Sequence, residues 1–106
     1  MNTETALRNI GFEENETRVY LYLLRRGLAS QQTISDETGV LRQTVYEVVK
    51  KMEAKGHISI SLIGKHKEYS AVDPHILLNQ IKEKERDFEQ VLPDLKKMKK
   101  EAVGEV

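Results

Sequence analysis

The sequence has no cysteine, and this absence excludes both disulfide bonds and metal sites built on cysteine. It also has no tryptophan, and no apolar run approaches the roughly 20 residues of a membrane-spanning helix. Residues 1–4 show neither the basic start nor the apolar stretch of a signal peptide. We therefore expect a cytoplasmic protein without membrane contact, whose 106 residues suffice for one small domain and an appended segment.

The sequence also lacks a net charge, because 17 basic side chains balance 17 acidic ones. These charges are unevenly spread. Residues 1–38 hold four basic and six acidic side chains, whereas residues 39–72 hold six basic and three acidic ones. A local excess of positive charge can bind phosphate groups even when the total charge is zero. Nucleic-acid binding is therefore not excluded, and we expect it in residues 39–72.

One amphipathic helix is predicted over residues 41–55, between Gly39 and Gly56. Its apolar residues recur at steps of three and four and so share one face: Val45, Val48, Val49 and Met52. Polar residues occupy most of the remaining surface: Arg42, Gln43, Glu47, Lys50 and Lys51. A DNA-recognition helix needs an apolar face that docks on a small domain and a polar face that is exposed.

Two helices are predicted near the N-terminus. The first covers residues 3–9 with Thr3 as its N-cap, and the second covers residues 16–26 with Asn15 as its N-cap. The apolar spacing of the second helix predicts one buried stripe of side chains: Val19, Tyr20, Leu23 and Leu24. Both helices would supply the body on which the recognition helix packs.

The middle of the chain has the pattern of a winged helix-turn-helix. Ser30 is the expected N-cap of a short helix that runs to about residue 38, and Gly39 permits the positive φ of a tight turn. A short helix, a glycine turn and a longer helix form a helix-turn-helix. Alternating residues then predict strands over 58–62 and 69–72, joined by a basic turn over 64–67. Two strands with a basic turn after a recognition helix make a wing.

A long helix is predicted over residues 74–102, because Asp is a good N-cap and Pro74 suits the first helical position. Its apolar residues follow alternating steps of four and three, with one lysine among them, as in a coiled-coil seam: Leu77, Ile81, Lys84, Phe88, Val91, Leu95, Met98 and Ala102. Pro93 predicts a bend or a break in this helix. Residues 103–106 are expected to fray.

Several motifs in order resemble one known family. They are the segment around Ile10-Gly11-Phe12, the run Gly39-Val40-x-Arg42, and the exit from the second strand at Val72-Asp73-Pro74. Together these segments are similar to TrmB-like winged-helix transcriptional regulators, a family found mostly in archaea. The resemblance implies sequence-specific binding of double-stranded DNA by a homodimer, with the last helix as the coiled-coil dimerisation segment. We expect no counterpart here of the C-terminal sugar-binding domain of some members. Leu41 departs from the pattern, since the family often has proline or a small polar residue there.

The first turn of a recognition helix usually meets base edges, so Arg42, Gln43 and Thr44 are candidates for base contacts. Glu47 could accept a hydrogen bond from cytosine or could pair with Lys50 or Lys51. The remaining candidates for contact with phosphate groups lie around this helix and at the wing: Ser30, Gln31, Gln32, Tyr46, Lys50, Lys51, Lys65, His66 and Lys67. Each of these has a plainer alternative, as a helix cap, a core edge or a solvated surface side chain.

We therefore expect a mainly α protein with a small β-hairpin. Residues 1–73 would form a winged helix-turn-helix and residues 74–102 a dimerisation helix. The three histidines share no helical spacing, so neither a metal nor another cofactor is predicted. The sequence shows no catalytic nucleophile paired with a general base, so we do not expect an enzyme. The alternative is a winged helix that binds another protein in a transcription-related assembly, which the zero net charge permits. The sequence identifies no small-molecule effector.

Overall fold

The computed structural model describes residues 1–104, which form mainly α structure with one antiparallel hairpin. The elements in chain order are α1 (Thr3–Asn9), α2 (Glu14–Arg26), α3 (Gln31–Thr38), α4 (Arg42–Ala54), β1 (Ile58–Ile63), β2 (His66–Ala71) and α5 (Pro74–Ala102). The chain divides into two compact units, Met1–Asp73 and a second that begins at Pro74. The predicted fold class, mainly α with a small β-hairpin and a long last helix, is confirmed.

The core of the first unit is built from the apolar faces of its helices. The predicted stripe of α4 is buried, together with Ile34 of α3 and with Leu7 and Phe12 from the start of the chain. In α2 the stripe is confirmed for Val19, Tyr20 and Leu23 but wrong for Leu24, which is 40% exposed. Leu24 lies in the last turn of α2, at the edge of the buried stripe.

The N-caps of the first two helices differ from the predictions. Asn2, not Thr3, caps α1, and its side chain accepts a 2.8 Å hydrogen bond from the N–H of the third helical residue. Helix α2 begins two residues earlier than predicted, so Asn15 lies inside its first turn. There the backbone N–H of Glu13 donates to Oε1 of Glu16 at 2.8 Å, one half of a capping box.

The helix-turn-helix is formed by α3 and α4. The predicted cap is confirmed at Ser30, whose Oγ accepts from the backbone N–H of Thr33 at 3.2 Å. Gly39 ends α3 with φ +77°, a left-handed conformation that favours glycine, as predicted. Helix α4 is one residue shorter at each end than the predicted 41–55. It begins after Leu41, which offers no capping side chain.

The wing is a two-residue hairpin. Register runs from the pair Ile58 and Ala71 to the pair Ile63 and His66, so only residues 64 and 65 form the turn. The predicted longer turn is wrong for His66 and Lys67, which belong to β2. The predicted alternation of buried residues is also wrong at Leu62, which is exposed because the tip extends beyond the buried part of the hairpin.

One residue before α3 forms an isolated bridge to the hairpin. Ala29 and Tyr69 exchange two backbone hydrogen bonds of 3.0 and 2.8 Å, so β2 is held between β1 and the segment before α3. The hydroxyl of Tyr20 donates to the carbonyl of Val72 at 2.8 Å and ties α2 to the end of the hairpin. The base of the wing is thereby fixed to α2 and to the segment that leads into α3.

Helix α5 is continuous over 29 residues, and Pro93 lies inside it. A break in the helix at Pro93 is therefore wrong as a prediction. A proline removes only one backbone donor, so the hydrogen bonds on either side can maintain the helix. Along the predicted seam Leu77 is buried, whereas the later residues Ile81, Phe88, Val91, Leu95 and Met98 are exposed. Of the tail expected to fray, residues 105 and 106 lie outside the described residues. No helix within residues 1–104 has the length and apolarity needed to cross a membrane.

Candidate nucleic-acid interface

The outer surface of α4 carries a polar stripe opposite its buried face. Gln43, Glu47 and Lys50 follow steps of four and three residues, and all three are exposed. The side-chain amide of Gln43 donates to the Glu47 carboxylate at 3.4 Å. The stripe therefore presents hydrogen-bond donors and acceptors to solvent, as contact with base edges requires.

Arg42 and Tyr46 flank this stripe on one side. Both are exposed, and the Arg42 side chain forms no ion pair within residues 1–104. The Lys50 ammonium lies 6.0 Å from the centroid of the Tyr46 ring, at the outer limit of a cation–π contact. This flank is therefore basic and aromatic, and its cationic groups remain accessible.

The other flank of α4 faces the start of α2 and is acidic. A groove of about 340 Å³ is lined there by Glu13, Glu14, Asn15, Glu16, Thr44, Glu47, Val48 and Lys51. Lys51 forms a hydrogen-bonded ion pair with Glu13, which lowers the pKa of that carboxyl and raises the pKa of Lys51. Lys55 lies 3.6 Å from the buried Glu16 carboxylate. Lys51 of α4 and Lys55, the C-cap of α4, thus bind acidic groups of the same domain.

These contacts decide one alternative that the sequence left open. In the described part of the chain Glu47 forms no ion pair with Lys50 or Lys51, so that pairing is wrong. The Lys50 ammonium lies 6.0 Å from the centroid of the Tyr46 ring. Lys51 is bound instead by Glu13, whose carboxylate lies across the groove. Thr44 lies on the same side and is half-buried.

The start of α3 contributes polar side chains beside the recognition helix. The Gln31 amide donates to the backbone carbonyl of Arg42 at 3.2 Å and so joins α3 to the first turn of α4. Gln32 is exposed and donates to the carboxylate of Asp36 at 2.7 Å. The Ser30 hydroxyl accepts the capping bond and also donates to Oγ1 of Thr33.

The wing carries its basic groups at and after the turn. Lys65 occupies the turn, whereas His66 and Lys67 are the first residues of β2, and all three side chains are exposed. Among residues 1–104 none of them forms an ion pair. The wing therefore keeps its positive charge available to a ligand.

Two features of this surface were not foreseen from the sequence. Glu13 and Glu16 show one local signal, the Glu-x-x-Glu spacing of a capping box. Their ion-pair partners, Lys51 and Lys55, lie nearly forty residues away and have no such signal. The high exposure of Leu41 has no local signal at all, since an apolar side chain is ordinarily expected to be buried. Within the described chain, no group of three His, Asp or Glu side chains has the arrangement to hold a metal ion.

Comparison with known sequences gives one family and several relatives. The profile of the family described as sugar-specific transcriptional regulator TrmB matches residues 7–75. The chain is 28% identical over 94 residues to the HTH-type sugar sensing transcriptional regulator TrmBL1 of Pyrococcus furiosus, which covers 89% of this chain and 26% of that protein. It is 30% identical over 60 residues to the uncharacterized protein YrhO of Bacillus subtilis, over 57% of this chain and 22% of that protein. The chain thus spans about a quarter of the length of these relatives.

Comparison with solved structures identifies the fold. The crystal structure of the AntR antimony-specific transcriptional repressor superposes with a TM-score of 0.56 at 20% identity. The match covers 77% of this chain and 79% of that one. The chain therefore has the winged helix-turn-helix fold of that repressor.

Proposed function

This chain belongs to the TrmB family of transcriptional regulators, and from that premise we propose that it binds specific sites in double-stranded DNA as a homodimer. The family and the fold are those of regulators rather than of enzymes. The observation that carries the proposal is the exposed stripe of Gln43, Glu47 and Lys50 on α4, opposite the buried stripe that docks the helix on its domain. Such a regulator acts where DNA is, which for this family is the cytoplasm.

In this proposal α4 lies in the major groove. Arg42 contacts guanine and Gln43 contacts adenine, because their side chains can form the paired hydrogen bonds that these bases offer. Glu47 accepts from cytosine, since no lysine neutralises it. Thr44 is a further candidate at the edge of the groove, on the half-buried side of the helix.

Phosphate contacts come from the elements around α4. Lys50 lies at the end of the exposed stripe, and Tyr46 lies on the basic flank beside it. Ser30, Gln31 and Gln32 lie at the start of α3 or cap it, and this helix crosses the backbone in this motif. Lys65, His66 and Lys67 place the wing on the backbone or in the minor groove. Lys51 is the weakest candidate, because its ammonium group already binds Glu13.

Dimerisation is assigned to α5. The exposed seam from Ile81 to Met98 leaves five large apolar side chains without cover in the single chain: Ile81, Phe88, Val91, Leu95 and Met98. Pairing of two such seams would bury them, with Lys84 as a further seam position. Leu77, the first position of the predicted seam, is already buried in the single chain. A twofold dimer would hold two recognition helices about one DNA turn apart, roughly 34–36 Å.

Selection of bound duplexes from a random DNA pool tests this function. We expect an enriched site with two inverted half-sites whose centres lie about one helical turn, or a multiple of it, apart. Enrichment of a single half-site would contradict the homodimer but not the DNA contact of α4. Recovery of a pool without sequence preference would contradict sequence-specific binding itself.

The acidic groove beside α4 is the one feature that favours the alternative, a winged helix that binds another protein. Carboxylates of Glu13, Glu14 and Glu47 would repel a DNA backbone placed against that flank but would attract a basic protein segment. A gel-shift assay against genomic fragments at moderate salt separates the two. A protein that co-purifies, together with no sequence-selective shift, would support the alternative.

A further inference from the structure

Leu41 is highly exposed, although Val40, the residue before it, is buried. Within residues 1–104 two leucines exceed seven-tenths exposure, Leu41 at 76% and Leu62 at 73%, whereas no other leucine exceeds 42%. Leu62 lies on the wing, and Leu41 directly precedes the recognition helix. An isolated exposed leucine needs no function. Leu41 differs from such a leucine in its position before the recognition helix and in the hydrogen bonds that fix its backbone.

The backbone around Leu41 is fixed by three hydrogen bonds to consecutive carbonyl groups. The Ser35 hydroxyl donates to the carbonyl of Val40 at 2.7 Å, and the N–H of Val45 donates to that of Leu41 at 2.9 Å. The Gln31 amide donates to the carbonyl of Arg42 at 3.2 Å. Because the backbone cannot rotate freely here, the Leu41 side chain is presented to solvent in a defined place.

The residues on either side of Leu41 establish its direction. The Val40 side chain is 5% exposed and belongs to the core, whereas Leu41, Arg42 and Gln43 are exposed. Leu41 is also the N-cap of α4, a position where serine, threonine or aspartate would accept a hydrogen bond that leucine cannot accept. The chain therefore places an apolar group, instead of a cap, beside the two side chains proposed to contact bases.

The major groove offers one apolar feature to such a group, the C5-methyl group of thymine. We propose that Leu41 contacts the C5-methyl group of one thymine in each half-site and so determines base preference next to the bases contacted by Arg42 and Gln43. This inference rests on the proposed function, because it requires the start of α4 to lie in the major groove. The contact adds hydrophobic discrimination to the hydrogen bonds of its neighbours.

Replacement of thymine by deoxyuridine tests the contact, since it removes the methyl group and leaves base pairing unchanged. The duplex selected by the full chain is synthesised with each thymine replaced in turn, and dissociation constants are measured at fixed salt. For wild type we expect one position per half-site at which affinity falls about fourfold, the effect of one buried methyl group. The Leu41→Ala and Leu41→Ser variants should bind the thymine and deoxyuridine duplexes equally at that position.

Leu41→Ser separates a contact with DNA from a structural role, because serine can cap α4 and so preserves or raises helix stability. Leu41→Met keeps an apolar side chain and should retain the fourfold difference. Leu24→Ala is the matched control, since Leu24 is an exposed leucine of α2 outside the proposed interface, and it should respond as wild type does. A fourfold loss that persists in Leu41→Ser, or a selected site insensitive to every thymine methyl group, overturns the inference while sequence-specific binding stands. A pool without any preferred sequence overturns both.

Discussion

Glu16 is the one charged side chain that is buried within residues 1–104, at 2% exposure. Its carboxylate accepts from the backbone N–H of Glu13 at 2.8 Å and lies 3.6 Å from the ammonium group of Lys55. Glu16→Ala leaves the backbone N–H of Glu13 without its acceptor and the Lys55 ammonium group without its counter-ion. We expect the free energy of unfolding in urea to fall by about 2 kcal/mol, the typical contribution of a hydrogen bond to a charged group.

Glu14→Ala is the control for this prediction. Glu14 is two residues away in the same turn, and its side chain is 86% exposed in a 3.6 Å ion pair with Arg18. An exposed pair of this kind contributes roughly 0–1 kcal/mol, so the control should lose less than half as much stability as Glu16→Ala. Equal losses for the two variants would show that burial of Glu16 is not the source of its effect.

The raised pKa of Tyr20 should make the free energy of unfolding fall at alkaline pH. Burial, together with the nearby Asp73 carboxylate, raises the pKa of Tyr20 to about 12 from an ordinary value of 10.0. The folded chain therefore keeps the phenol proton at a pH where the unfolded chain loses it. The raised pKa of Tyr20 therefore contributes to the stability of the fold. This contribution is fully present below pH 10 and is lost as the pH rises towards 12.

Tyr20→Phe should reduce that alkaline loss of stability, measured as urea midpoints between pH 8 and pH 11. At neutral pH the variant should lose about 1 kcal/mol, because the hydroxyl no longer donates to the Val72 carbonyl. Some alkaline decline should remain, because the pKa values of Tyr22 and Tyr69 are also raised. An unchanged decline in the variant would assign the pH dependence to other groups.

At the scale of elements, α4 and the wing should contribute differently to DNA binding. Arg42 lies in the first turn of α4, with an exposed guanidinium that forms no ion pair in the described chain. Arg42→Ala should weaken binding to the selected site by about 1–3 kcal/mol and relax base preference at one position of each half-site. A repeat of the pool selection with the variant measures both. An unchanged selected sequence would mean that Arg42 contacts no base.

Lys65 is predicted to act on the backbone instead, because it occupies the turn of the wing and carries a point charge. Lys65→Ala should weaken binding to all sequences alike and reduce the slope of log affinity against log salt by about one. Lys67→Ala should behave similarly, because Lys67 is the second residue of β2, next to the turn. Lys82→Ala, an exposed lysine of α5, is the control that should leave the slope unchanged. A change of base preference in the wing variants would contradict a backbone role.

The elements also show what the sequence alone can predict. Ser30 and Gly39 were located correctly because a capping hydroxyl and a left-handed glycine act on their own turn of the chain. The N-caps predicted at Thr3 and Asn15 were wrong, because several residues near each helix start can serve as a cap. A helix that begins one or two residues earlier takes a different residue as its cap.

Contacts between distant segments have no comparable local signal. The pairing of Ala29 with Tyr69 joins positions forty residues apart, and a single residue before a helix does not resemble a strand. Likewise, the sequence placed Lys51 on the polar surface of α4 but gave no sign that Glu13 would bind it. The exposed face of α4 was predictable from the helical spacing of its apolar residues. The acidic character of one flank depends on the packing of α2 beside α4. The proposed contacts with DNA stay predictions.

At the scale of the whole molecule, the seam of α5 was predicted from its steps of four and three residues, and its side chains from Ile81 to Met98 are exposed in the single chain. Phe88 is its largest exposed apolar side chain, at 57%. A lone helix of this length gains little from propensity alone, and helices in proteins are stabilised mainly by burial of an apolar face. In the proposed dimer a second copy of α5 would supply such a face, because a seam is complementary to itself around a twofold axis.

Phe88→Asp should therefore convert dimers to monomers in sedimentation equilibrium, because it places a carboxylate at the centre of the seam, where it would lose its hydration. Gln90→Asp is the matched control, since it adds the same charge two residues away, off the seam, and should remain dimeric. Circular dichroism should show that Phe88→Asp keeps its winged domain folded. The monomer should still bind a single half-site while losing the preference for paired half-sites. A wild-type chain that sediments as a monomer, or a Phe88→Asp variant that stays dimeric, would contradict the assignment of dimerisation to this seam.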